Sequence, residues 1–321
     1  MPKIMFNLRP PQGSFGGGAF FVKNMSDYLK NKGFDVVYSL EQDIDLIFII
    51  DPRKGDHKIN GLDEILKYKQ DNNNCKLLYR VNECDSKREV SINIEPLLVR
   101  AIESVDYVVY ITEWLKTYFH NKYPQLNKEN KGYVVVNGCN DKIFRPLDNM
   151  CNVDNIGNPI KLVTHHWSNN YNKGFKVYNA LDNFLNMEEY KDMFSLTFIG
   201  NYNPRYIPKN IKIIPPTQGE ELCKLLNAHD IYLTASINEP CGMHFIEGLS
   251  CGLPVLYDTK GGGIVETAKK YGFGFSNMNE LLDGLKLIKE NYNEYKNKID
   301  YKYLGSARCC DGFYKIITKL I

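Results

Sequence analysis

The chain lacks any strong charge of one sign. Its 321 residues include 40 Lys and Arg against 38 Asp and Glu, a net charge of +2. Such a balance gives no basic or acidic field to draw nucleic acid or a charged membrane surface, so a nucleic-acid partner is not expected. No apolar run is long enough to span a bilayer, although a peripheral membrane contact stays open. The N-terminal MPKIMFNLRPPQG has no extended apolar core, so it does not read as a secretion signal. The nine cysteines, at 75, 84, 139, 151, 223, 241, 251, 309 and 310, form no CxxC pair and are odd in number. That usage reads as reduced thiols in a cytoplasmic compartment. Low-complexity tracts and short repeats are lacking too. Lys and Asn are abundant but scattered, which reads as genome base bias.

What is present is an ordinary globular composition, 43% apolar and 24% charged, long enough for two domains with their own cores. Short apolar strands alternate with helical patterns. Strands are expected at 3–8, 34–40, 44–50, 75–81, 105–111 and 131–138, with helices at about 19–32, 64–71, 90–104 and 113–123 between them. A polar stretch at 139–159 reads as an interdomain linker. The alternation then restarts, with strands at 160–166, 194–200, 211–216, 230–236 and 254–258. Helices are expected over 173–185, 220–229 and the middle of SINEPCGMHFIEGLSCGLPV (236–255), and 278–321 reads as two or three more. Strand–helix alternation of this kind implies an α/β fold of two doubly wound Rossmann-like domains, expected over 1–147 and 158–300 and facing a central cleft. The final helix, 301–321, has an apolar face and is expected to pack back on the N-terminal domain.

Ligands of such sheets favour the carboxyl ends of the strands, and the motifs fall there. Gly16, Gly17 and Gly18 follow the first strand and open a helix, where bare N–H groups attract anions. Phe21 stands where the third glycine of GxGxxG belongs, which argues against a nicotinamide-dependent oxidoreductase. Lys173, beside Gly174 at a helix start, adds a full charge to the helix-end dipole, and His165, His166 and Trp167 share that strand end. Glu239 precedes a helix and Glu247 lies inside it, so their carboxylates are on the order of 10 Å apart. That separation suits an elongated ligand with hydroxyls at both ends and negative charge between, the shape of a nucleotide sugar. The DID at 43–45 precedes an apolar strand and carries little weight as a metal motif.

In this combination the sequence resembles the retaining glycosyltransferases of family four, which have the GT-B fold. The likeness rests on Glu239-x7-Glu247, CGLPV (251–255) and Gly262–Gly263–Ile264–Val265–Glu266. The stretches 16–36, 104–119, 135–146 and 162–175 follow the same order, so it covers nearly the whole chain. The resemblance implies hexosyl transfer from a nucleotide-sugar donor to a glycan, lipid or other hydroxyl acceptor, with retention, no metal and no cofactor. It implies that Glu239 contacts the donor sugar and Glu247 the ribose. The backbone at Cys241, Gly242, Met243 and His244 would approach sugar and phosphates, and Lys173 would neutralise the diphosphate. Gly16–Gly18 would close over phosphates or acceptor, and Pro215–Thr217, with Pro216 and Thr217 foremost, would lie by the base. Two departures stand out. His165–His166 occupy the place of an arginine, so His166 is the substitute phosphate partner. The usual histidine after the fourth strand is missing from YRVNECD, leaving Arg80, Asn82 and Asp85 as polar candidates for acceptor or sugar contacts. These departures also support a rival reading, a catalytically degenerate GT-B protein that binds nucleotide or glycan.

Overall fold

The computed structural model describes residues 1–10, 17–55, 60–128, 132–147 and 156–321. They form two units. The first combines Met1–Asp85, Ser91–Asn137 and Ser306–Ile321; the second combines Ser86–Val90 with Gly138–Gly305.

The first unit runs β1 (Lys3–Phe6), α1 (Gly17–Asn31), β2 (Asp35–Val37), β3 (Leu46–Ile49), α2 (Leu62–Asp71), β4 (Lys76–Val81), α3 (Glu95–Ser104), β5 (Tyr107–Tyr110), α4 (Glu113–Lys122) and β6 (Gly132–Val134). Its six strands are parallel, in the order β2-β1-β3-β4-β5-β6. The four residues of β3 are all buried, as expected for a strand covered on both faces. The second of these strands is shorter than the 34–40 expected, because only Asp35–Val37 reach β1 in register.

The second unit runs β7 (Ile160–His166), α5 (Phe175–Phe184), β8 (Phe194–Gly200), β9 (Lys212–Ile214), α6 (Gly219–Asn227), β10 (Ile231–Thr234), α7 (Met243–Ser250), β11 (Val255–Asp258), α8 (Ile264–Ala268), β12 (Gly272–Phe275), α9 (Met278–Glu290), α10 (Tyr292–Asn297) and α11 (Tyr301–Leu304). Again six parallel strands form the sheet, in the order β12-β11-β10-β7-β8-β9. The chain leaves β7 toward β8 on one side and returns to β10 on the other. The junction of β7 and β10, paired through Ile231↔Leu162 and Tyr232↔Val163, is the topological switch point, the place where sheets of this kind favour ligands. Strand β12 and helix α8 were not expected from the sequence. Residues 138–147 group with this unit: Cys139 Sγ lies 3.0 Å from Ser250 Oγ, and the Leu147 N–H donates to Asn227 at 2.9 Å.

The last helix, α12 (Ser306–Ile317), belongs to the first unit, where Cys309, Cys310, Phe313, Ile316 and Ile317 join the core around Phe21 and Phe48. The core of the second unit centres on Leu162, Phe175, Tyr178, Phe198, Leu233 and Leu256.

Candidate functional site

The switch point of the second unit gathers the acidic, basic and imidazole groups singled out in the sequence. Three loops meet there. The loop after β7 turns through a short helical segment, Tyr171–Lys173, before Gly174 caps α5. Its Asn172 carbonyl accepts the Ile237 N–H at 2.9 Å, stitching it to the loop after β10. That second loop is bound to the glycine run after β11: Asn238 N–H donates to Lys260 O, Glu239 N–H to Gly261 O, and Gly263 N–H to Glu239 O. Gly262 has φ +69, and a Cβ there would stand 3.0 Å from both the backbone N and O of Glu239. A side chain at 262 would therefore push the Glu239 backbone out of place.

The stitching brings Lys173 Nζ onto the Glu239 carboxylate as an ion pair, both side chains mostly buried. Adjacent residues of a strand point to opposite faces, so the two histidines of β7 part company. His165 turns toward α7. Its Nε2 lies 2.7 Å from Glu247 Oε2 and its Nδ1 lies 3.1 Å from the Tyr232 hydroxyl. Tyr232 accepts the His165 backbone N–H at 3.1 Å and also reaches Nδ1 of His244 at 3.2 Å. His166 turns the other way, its Nε2 lying 2.9 Å from the Tyr178 hydroxyl and 3.3 Å from Thr164 Oγ1. Burial, reinforced by the Lys173 charge, holds the His166 imidazole well below its usual pKa; His244 is lowered by burial, then by His166 and Lys173. Both are neutral near pH 7.

Helix α7 starts from Gly242 without a side-chain cap, so its first-turn N–H groups at Met243 and His244 are unmet by any capping side chain. Cys241, Gly242 and His244 are all largely buried at this turn. Pro216 and Thr217 lie in the loop between β9 and α6, with the Thr217 hydroxyl donating to Pro215 O at 2.8 Å.

The first unit holds the remaining candidates. Gly17 and Gly18 open α1, and Gly18 lies beside Asn82 and Ile50; Gly16 falls outside the described residues. Arg80 is buried, donates to Asn137 Oδ1 at 2.7 Å and lies 4.3 Å over the Phe21 ring. Asp85 accepts the N–H groups of Ile94 and Glu95 while its own N–H donates to Glu95 Oε1 at 2.8 Å, so it fixes the start of α3. Asp45 of the DID run accepts the Lys3 N–H at 2.7 Å. Among the described residues no three His, Cys, Asp or Glu side chains converge as a metal site, and no helix is long and apolar enough to cross a membrane.

Tyr232, Tyr178 and Thr164 were not singled out from the sequence. They lie in apolar strand and helix patterns where a tyrosine or threonine reads as core. The one available signal was the polar tip on each, which must find a partner when buried.

Glycosyl transferases group 1 matches residues 204–304, a span that includes Glu239 and Glu247. The probable sucrose-phosphate synthase of Thermosipho melanesiensis is 28% identical over 264 residues, 74% of this chain. This chain spans only 60% of that relative's length. In fold, the sucrose-phosphate synthase of Thermosynechococcus elongatus superposes with a TM-score of 0.70 at 13% identity, covering 99% of this chain and 98% of that one. Anabaena HepE, solved in complex with UDP-glucose, gives 0.68 at 12% identity and covers 99% of both chains. Residues 204–304 therefore match the model of the group 1 glycosyl transferases, within a chain whose two parallel-sheet α/β units have the GT-B fold.

Proposed function

We propose that the protein transfers a hexosyl group from a nucleotide-diphosphate sugar to a hydroxyl of a glycan, lipid or other acceptor, with retention of anomeric configuration and without a metal ion. One observation carries this reading. Glu239 and Glu247 stand at the switch point of the second unit, each held by one basic or imidazole partner, Lys173 and His165. Carboxylates there accept paired hydroxyls: Glu239 those of the sugar, Glu247 those of the ribose. Sugar–phosphate cleavage builds negative charge on the diphosphate. Lys173 and the uncapped N-terminus of α7 stabilise that charge by fixed electrostatics. The leaving phosphate takes the acceptor's proton, so no separate base is required. Donor binding trades the Lys173–Glu239 contact for two contacts to substrate, phosphate on Lys173 and sugar hydroxyl on Glu239. Pro216 and Thr217 flank the base in this reading, and Gly17, Gly18 and Asn82 carry the acceptor-side part in the first unit.

Thermal-shift screening with UDP, GDP, ADP and their sugars tests it. One nucleotide series should raise Tm, and NMR of the product from an α-linked donor should show an α-linkage. No shift with any nucleotide refutes the nucleotide-sugar reading. An inverted product refutes retention alone.

A further inference from the structure

His166 ends β7 and His244 lies in the first turn of α7, and their ring centroids are 4.5 Å apart. Each ring has one nitrogen tied to a tyrosine hydroxyl, His166 Nε2 to Tyr178 and His244 Nδ1 to Tyr232. The other nitrogens, His166 Nδ1 and His244 Nε2, are buried with no hydrogen-bond partner, in side chains only 4% and 8% exposed. Thr234 Oγ1 and Ser236 Oγ, at the end of β10, are buried and unpartnered as well. Buried polar atoms are normally satisfied, so such a concentration at one switch point marks a place built for a polar group from outside the chain.

The chemistry of that group follows from the protons. Both imidazoles are neutral, so each brings one N–H and one lone pair. Tyr178 accepts the Ala235 N–H and lies between Thr164 Oγ1 and His166 Nε2; a proton chain running from Thr164 to Nε2 leaves the His166 hydrogen on Nδ1, and the reverse chain leaves a lone pair there. Tyr232 has one proton to give, to His165 Nδ1 or to His244 Nδ1. The first choice leaves a lone pair at His244 Nε2, and the second puts an N–H there. A hydroxyl oxygen can accept from both rings, or donate to one and accept from the other. A phosphate oxygen only accepts, so it fits only the state in which both nitrogens carry hydrogen, and the neutral rings bring no charge to balance it.

We propose that His166 Nδ1 and His244 Nε2 form a subsite for one hydroxyl oxygen, and that a hydroxyl of the donor sugar fills it, making this pair a determinant of sugar specificity. This rests on the nucleotide-sugar reading of the second unit. Gly242 stands against His244 Nε2, where an added Cβ would lie 2.4 Å from that nitrogen.

The probes are UDP-glucose and its four monodeoxy analogues, or the matching series of GDP-mannose or ADP-glucose if the thermal-shift panel selects that nucleotide. Calorimetry on the full chain measures each affinity relative to the bare nucleoside diphosphate. One deoxy analogue should bind about tenfold or more weakly than its parent, the loss of one hydrogen-bonded hydroxyl. In His166→Phe and His244→Phe that analogue and its parent should bind alike. If every analogue binds the wild type as tightly as the parent, water alone fills the pair and the proposal is overturned while the nucleotide reading stands. If no nucleotide binds, both fall. Should the variants not fold, ring ¹⁵N spectra of the wild type decide: the sugar nucleotide must shift His166 and His244 beyond what the nucleoside diphosphate does, and identical spectra overturn the subsite.

Discussion

At the scale of single residues, Lys173 and Glu239 do different work and should fail differently. Lys173→Ala removes a charge-assisted contact and should weaken nucleoside diphosphate binding by about 10- to 100-fold in calorimetric titration. Glu239→Gln keeps the shape and should lower kcat/KM by roughly 10²-fold or more with little change in Tm. The imidazoles make a separate prediction. His166 and His244 are pushed well below their usual pKa by burial, so the unfolded chain binds protons at these positions before the folded chain does. Stability from this source is complete above about pH 6.5 and declines as pH falls below it, by up to about 1.4 kcal/mol per pH unit for each group. Urea denaturation at pH 7.5 and 5.5 should show the loss, and His166→Phe, where it folds, should reduce the slope. The Glu-x7-Glu spacing was legible because both residues lie on one loop and helix. Their partners were not, because Lys173 and His165 are 66 and 82 positions away. Adjacent histidines must face opposite sides of a strand, but only the packed sheet decides that His165 is the one that meets Glu247.

Elements follow the same division between local and distant signals. Alternation of strands and helices is a local signal and placed β1, β3, β4, β7, β8, β10 and β11 within a few residues of their observed spans. Strand β12 escaped because its sequence is GFGF, which reads as a turn. The glycines are there for closeness: a Cβ on Gly272 would stand 1.8 Å from Val255 O on the neighbouring strand. Helix α5 hides a second distant device. Asp182 is buried and accepts the N–H groups of Lys209, Asn210 and Ile211 at 3.0, 2.7 and 2.9 Å, holding the approach to β9. Asp182→Ala would strand three donors and should cost about 3 kcal/mol or more in denaturant unfolding. A loss under 1 kcal/mol would show that the segment finds other acceptors.

For the molecule as a whole, the end of the chain completes the core at its beginning. Phe313 of α12 has its ring 4.9 Å from Phe21 and 5.4 Å from Phe48 in the first unit. Phe313→Ala should destabilise by about 3–5 kcal/mol, because a fully buried ring leaves a cavity. Equilibrium denaturation followed by a probe in the first unit would detect it, and an unchanged midpoint would contradict this packing. The apolar face of that helix is plain in the sequence, whereas the ring-to-ring fit with Phe21 and Phe48 depends on residues from the opposite end of the chain.

The reading of the second unit is tested most directly by a crystal structure of the full chain with its nucleotide sugar bound. The Lys173–Glu239 pair should be opened, with Glu239 within hydrogen-bond distance of sugar hydroxyls, Glu247 on the ribose and Lys173 on the diphosphate. A nucleotide sugar bound away from the β7–β10 junction, or both acids still turned to Lys173 and His165 with the ligand beside them, would contradict it.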